Sequence, residues 1–224
     1  GGAGGAETGG AGGGGVDLSG TWISRIQTSA NETVPVVGST AANLDIVLRL
    51  LVTRSAGQLN GQLDICRLNT VTTPNASSLV VTFTPAVLAT LTASASEPDF
   101  VATVGSPVPL PPITILSGRD AGGASVDSDA DGNPGVTIPS NIGGVLSLNA
   151  YVGLTISSSL TSTLTDPTTL NGTADISTTG QVFGSDNPVL TSGTISVTPT
   201  SPSVAFTATK LPGDVPCADV LTRF

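Results

Sequence analysis

The sequence predicts an all-β protein: an antiparallel sandwich or barrel of about 8–11 strands behind a glycine-rich N-terminal tail. Three observations carry this. Between residues 150 and 165 the apolar side chains Ala150, Val152, Leu154, Ile156, Leu160 and Leu164 keep one parity, and Thr155, Ser157, Ser159, Thr161 and Thr163 keep the other. That is the period of a strand with one dry and one wet face. Similar runs recur at short intervals, separated by Gly, Pro, Asn and Asp, the residues of turns. Finally, the wet positions hold Ser and Thr instead of Lys and Glu: 10% of the 224 residues are charged, against roughly a quarter in ordinary domains. The outer surface is therefore hydroxyl-coated and weakly self-repelling.

Along the chain, residues 1–15 (GGAGGAETGGAGGGG) have the composition of a flexible tether, or of an assembly arm whose bare Cα atoms pack closely on a neighbour. Residues 16–224 read as a single all-β domain, with the proline-rich stretch at residues 105–112 as the boundary if that domain divides. Residues 18–27 open the fold. Residues 44–54 and 59–68 then form a hairpin about Ala56-Gly57, whose parity sets Leu48 against Ile65, Leu50 against Leu63, Arg49 against Asp64 and Val47 against Cys66. Residues 79–83 and 87–93 read as strands broken at Pro85, and 113–116 as a short strand before a loop rich in Gly and Asp. Residues 145–165 and 172–183 follow, and then 189–198 and 203–209 pair by parity as a final hairpin around Pro199-Thr-Ser-Pro202. Residues 218–224 are the one tempting helical turn.

Composition narrows compartment and partners. The seven basic groups, among them Arg25, Arg49, Arg119 and Lys210, are scattered through a chain of net charge −9, so the basic footprint of a nucleic-acid binder is missing. No apolar run approaches the ~18 residues of a transmembrane helix, and hydroxyl-lined strands with few Trp and Tyr argue against a transmembrane barrel. The two cysteines, Cys66 and Cys217, are either bonded or buried as free thiols. An acidic, charge-poor, Ser/Thr-rich chain favours the bond and an oxidising compartment. A chain starting at Gly1 reads as a trimmed product, extracellular or at the cell surface, secreted or lipid-anchored upstream of residue 1.

Catalysis finds little to work with. The chain has no His, which removes the usual general base and the Ser-His and Cys-His nucleophile pairs. Glu7, Glu32 and Glu97 read as tail or loop residues, leaving no grouped carboxylate pair for glycoside hydrolysis. The expectation is no enzyme.

Two local patterns resemble known families. Leu18-Ser-Gly-Thr-Trp22 is similar to the G-x-W element on the first strand of lipocalins, the calycin barrels. The resemblance implies an up-and-down barrel that holds an apolar ligand, a late Arg (here Arg223) beside Trp22, and a disulfide from a mid-barrel strand to the C-terminal segment, matched by Cys66 and Cys217. The glycine-rich head resembles the spacer of Gram-negative surface lipoproteins. Asp127-Ser-Asp129-Ala-Asp131-Gly-Asn133 resembles the start of a dockerin or thrombospondin type 3 calcium loop. It implies calcium held by the side chains of Asp127, Asp129 and Asp131 and the carbonyl of Asn133. Ile138 stands where the closing acid belongs, so another carboxylate such as Asp120, or water, must complete the shell.

Two functions are expected from these readings. One is a non-enzymatic extracellular structural or adhesive protein, a self-associating fibre or coat subunit with possible envelope partners. The other is a lipocalin-like module that binds an apolar small molecule.

Overall fold

Alternating apolar and hydroxyl residues make strands that must bury one face, and the chain buries it by curling a single sheet closed. The computed structural model describes residues 15–35, 38–72 and 79–224. Residues 1–14 of the expected tether or arm lie outside the described residues. In order come β1 (Gly20–Val34), β2 (Gly38–Ser55), β3 (Gln58–Thr72), β4 (Leu79–Thr82), helix α1 (Pro85–Thr90), β5 (Thr92–Pro98), β6 (Pro107–Pro109) and β7 (Ile113–Ser117). After these come β8 (Val136–Ile142), β9 (Leu146–Asp166), β10 (Thr169–Ser185), β11 (Gly193–Pro199), β12 (Val204–Leu211) and helix α2 (Cys217–Leu221).

All pairings are antiparallel and they return to their start: β1 pairs with β2, β2 with β3, β3 with β4, β4 with β8, β8 with β9, and β9 with β10. Strand β10 then pairs with β11 and β12, and both of these pair with β1. The wall is an up-and-down barrel of eight staves: β1, β2, β3, β4 with β5, β6 with β7 and β8, β9, β10, and β11 with β12. Closure removes most of the free edge that an open sheet would expose.

Several staves are interrupted, and the interruptions correct the sequence reading. Strands β11 and β12 are collinear, not a hairpin. Ala30 faces Pro199 and Ser24 faces Ala208, so six steps along β1 match nine on the opposite stave. The three extra residues bulge out at the turn read as a hairpin tip. Residues 87–93 are not one strand, because α1 intervenes: Thr84 caps it by accepting the Val87 N–H, and Pro85 sits in its first turn, the usual start signal of a helix. Residues 105–112 carry β6, hydrogen-bonded to β9 in the same sheet. In the first hairpin, Leu48–Ile65, Arg49–Asp64 and Leu50–Leu63 pair as parity dictates, but Val47 faces Arg67. Cys66 is the extra residue of a bulge, which is why Ile65 and Leu68 both face inward.

The core fills the barrel with Trp22, Ile26, Leu44, Ile46, Leu63, Val152, Leu164 and Val182, among others. Outward positions on β9 and β10 carry hydroxyls, with Thr161 and Thr173 hydrogen-bonded at 2.9 Å. This is the reverse of the lipid-facing pattern of a membrane barrel. Among the described residues no helix is long and apolar enough to cross a membrane.

A second, smaller core lies outside the wall. Cys66 and Cys217 are bonded, and the C-terminal strap lays Val220 over Ile23, Val47 and Leu211. Arg49 locks the strap: its Nη1 donates to Asp64, its Nη2 to Asp214, and its Nε to the Val215 carbonyl at 2.6 Å.

Candidate functional site

The barrel interior holds a chamber at each end, and their linings differ in chemistry. The lower chamber, beside the Ala56-Gly57 turn, is a cavity of about 100 Å³ lined by Leu18, Trp22, Leu50, Leu63, Phe100 and Leu170. Small residues make the space: Gly61 on β3 and Ala93 and Ala95 on β5 stand where larger side chains would fill it. The Trp22 indole N–H donates to the Leu18 carbonyl at 2.8 Å, so that polar atom is satisfied. The cation nearest Trp22 is Lys210, 6.0 Å from the ring centroid and bonded to the Asp17 carbonyl.

This chamber lies against a seam in the wall. Among the described residues no backbone hydrogen bond joins β5 to β6 or β7, although Ala93 and Ala95 on one side and Val108, Leu110 and Ile113 on the other line the same cavity. Pro107, Pro109, Pro111 and Pro112 have no N–H to donate across it. The sequence therefore keeps the seam unzipped.

The upper chamber, at the end where β8 turns into β9, is a cavity of about 50 Å³ lined by Val34, Phe83, Ile138, Val152, Ile195 and Val197, among others. Into it points Glu32, which is 1% exposed. Among the described residues its Oε2 has no hydrogen-bond partner, nor does the hydroxyl of Thr70, which lines the same chamber. Burial pushes the Glu32 carboxyl up from 4.5 to about 7, since low-dielectric surroundings penalise the charged form. Among the described residues no other acidic or basic side chain lines this chamber. The sequence reading placed Glu32 in a loop. The missed signal is parity: Trp22, Ile26, Ala30 and Val34 are all inward on β1, and Glu32 shares their phase.

The aspartate loop is an excursion from the stave that runs β7 to β8. Ser117 faces Leu154 and Val136 faces Val152, so residues 118–135 leave and rejoin the wall at neighbouring positions. Gly118 and Gly135, both at positive φ, close the base, where an added Cβ would strike the Val152 backbone. Carboxylate oxygens of Asp127, Asp129 and Asp131 lie within 4.8 Å of one another. Asp127 accepts from the N–H groups of Asp131 and Gly132, at 3.1 and 2.9 Å. Asp129 accepts from the Thr137 N–H at 2.9 Å through Oδ2, while its buried Oδ1 has no partner. The nearby Thr137 hydroxyl, with the Asn133 amides behind it, holds Asp131 below the usual carboxylate range. Asn133 turns its side-chain amide to Asp131 at 3.2 Å. Asp120 caps a neighbouring turn by accepting from the Ala124 N–H and is not part of the cluster. Ile138 is buried in the core, so a closing ligand from that position is excluded. The three converging carboxylates and the orphaned Oδ1 suit a hard cation with a partly hydrated shell.

No family model, curated protein or solved structure matches this chain. What the fold and chambers define is a class by architecture: a closed, eight-stave antiparallel barrel with an apolar interior.

Proposed function

We propose that the protein is a non-enzymatic binding module of the extracellular space or cell surface, and that its lower chamber takes a small apolar molecule. The observation that carries this is the apolar cavity around Trp22, set against an unzipped seam. An engineered apolar cavity of ~150 Å³ admits benzene, so a space of about 100 Å³ suits a short alkyl segment or a small ring. Any longer part of the ligand would lie out along the seam. The absence of His supports a role without catalysis, and the Cys66–Cys217 bond supports an oxidising compartment. Calcium held by Asp127, Asp129 and Asp131, with the Asn133 carbonyl, would neutralise mutually repelling carboxylates and stiffen the loop.

Trp22 is the sole Trp and lines the chamber, so its fluorescence reports occupancy. Titration with 1-hexanol is expected to give a saturable emission change, and Ala95→Leu, which fills the chamber, to weaken it at least tenfold. A response that never saturates, or one unaltered in Ala95→Leu, contradicts the reading.

A second reading, a self-associating structural or adhesive subunit, draws on the hydroxyl ladder of β9 and β10 and on exposed Val101 and Val145. Closure of the wall leaves lateral packing of hydroxyl faces as its route, since the seam strands are proline-blocked. Sedimentation of the full chain separates the two: concentration-dependent assembly favours this reading, and a monomer at high concentration removes it.

A further inference from the structure

We propose that the upper chamber is a second ligand site, in which Glu32 and Thr70 hold the ammonium head of a small primary alkylamine. The inference goes beyond the apolar site and does not depend on it. Glu32 is set firmly: on β1 it is paired with Thr40 of β2 on one side and with Val197 of β11 on the other. The barrel wall thus fixes its backbone, and parity directs the side chain inward. There the Glu32 Oε2 and the Thr70 hydroxyl are buried with no hydrogen-bond partner among the described residues. A buried polar atom left unpaired costs stability, and no packing need is met by a carboxylate among Val34, Ile138, Val152 and Ile195.

The vacancy has a definite complement. An alkylammonium group brings three N–H donors, no acceptor and one positive charge, so it would satisfy the Glu32 oxygen, offer further donors to the polar lining that includes Thr70, and supply the counter-charge that the lining lacks. A neutral alcohol of the same size brings one donor and no charge. A divalent ion wants six or more oxygen ligands, more than one carboxylate and a few hydroxyls can offer. Size is also specific: a water needs roughly 10–15 Å³ of such space, so about 50 Å³ takes a head group and a few carbons. The short alkyl tail would lie against Ile138, Val152 and Ile195. The raised carboxyl pKa agrees with a group awaiting a counter-charge, but the geometry alone makes the case.

The test uses the full chain at pH 8 with n-propylammonium chloride, n-propanol, and sodium chloride at matched ionic strength. Propylammonium is expected to raise the thermal midpoint saturably with a millimolar apparent Kd, and propanol to act at least tenfold more weakly. Glu32→Gln should abolish the amine response and Thr70→Val should weaken it. Trp22 emission, which reads the lower chamber, should not follow the propylammonium response. If propylammonium does no more than sodium chloride, or if Glu32→Gln responds like the parent, the proposal is wrong. Should Glu32→Gln not fold, Thr70→Val decides: an undiminished amine response overturns the site.

Discussion

Both ends of the barrel are walled by β1, yet that strand delivers opposite chemistry to each. Low on β1 stands Trp22, whose one polar atom is spent on the Leu18 carbonyl. Higher on the same inward face stands Glu32, with an oxygen that nothing among the described residues satisfies. The lower chamber gains its space from Gly61, Ala93 and Ala95 and lies against a seam without hydrogen bonds. The upper one is walled where β4 and β8 pair. Closing a barrel requires only that both ends be filled. The lower lining is mostly apolar, with Asn60, Ser94 and the half-buried Glu97 among it, whereas the upper one holds a single carboxylate, Glu32, that is 1% exposed.

The largest effect should come from outside both chambers and so test whether the contrast is confined to the interior. The Cys66–Cys217 bond spans a sequence separation of 151 residues, and loop entropy assigns such a closure about 4–5 kcal/mol. Reduction, or Cys217→Ser, is expected to lower the unfolding free energy measured in urea by an amount of that order. The hexanol and propylammonium responses of the folded fraction should survive. Loss of either response would mean that the strap shapes the chambers.

Next in size is the pH dependence that belongs to the upper end alone. The Glu32 carboxyl is raised from 4.5 to about 7 on folding, so between those values the unfolded chain is ionised while the folded one keeps its proton. Stability from this residue is therefore full below about pH 4.5 and is lost as pH rises towards 7, amounting to about 3 kcal/mol. Glu32→Gln should remove that slope and be the more stable protein at pH 8. A parent whose urea midpoint is flat from pH 5 to 8 would place Glu32 in contact with water.

Much of this was legible beforehand, and the failures have physical causes. Parity alone set Leu50 against Leu63 and Arg49 against Asp64, because a one-residue slip would turn a whole dry face outward. Parity could not show that β11 and β12 share a stave, since two strands on either side of a turn look alike whether they fold back or run on past a bulge. The helix at residues 85–90 was written in Thr84-Pro85, a start signal outweighed by the apolar residues that follow it. Glu32 was hidden by its own polarity: a carboxylate is assumed to face water, and only its phase with Ala30 and Val34 says otherwise. The disulfide followed from composition, but the bulge that carries Cys66 is a tertiary feature.

A smaller effect concerns the stave that walls both chambers, with Ile113 of β7 below and Ile138 of β8 above. Calcium at ten times its Kd should stabilise the protein by about 1.4 kcal/mol through Asp127, Asp129 and Asp131, seen as a shift in thermal midpoint. Asp129→Ala should abolish that shift and leave both ligand responses in place. An equal shift in Asp129→Ala would assign the calcium effect to other carboxylates.

The contrast between the two ends is tested most directly by crystals of the protein pressurised with xenon, which enters dry apolar cavities and avoids polar ones. The account predicts a xenon peak among Leu18, Trp22, Leu63 and Leu170 that hexanol displaces and propylammonium does not. An empty lower chamber, or a peak there that propylammonium removes, would contradict it.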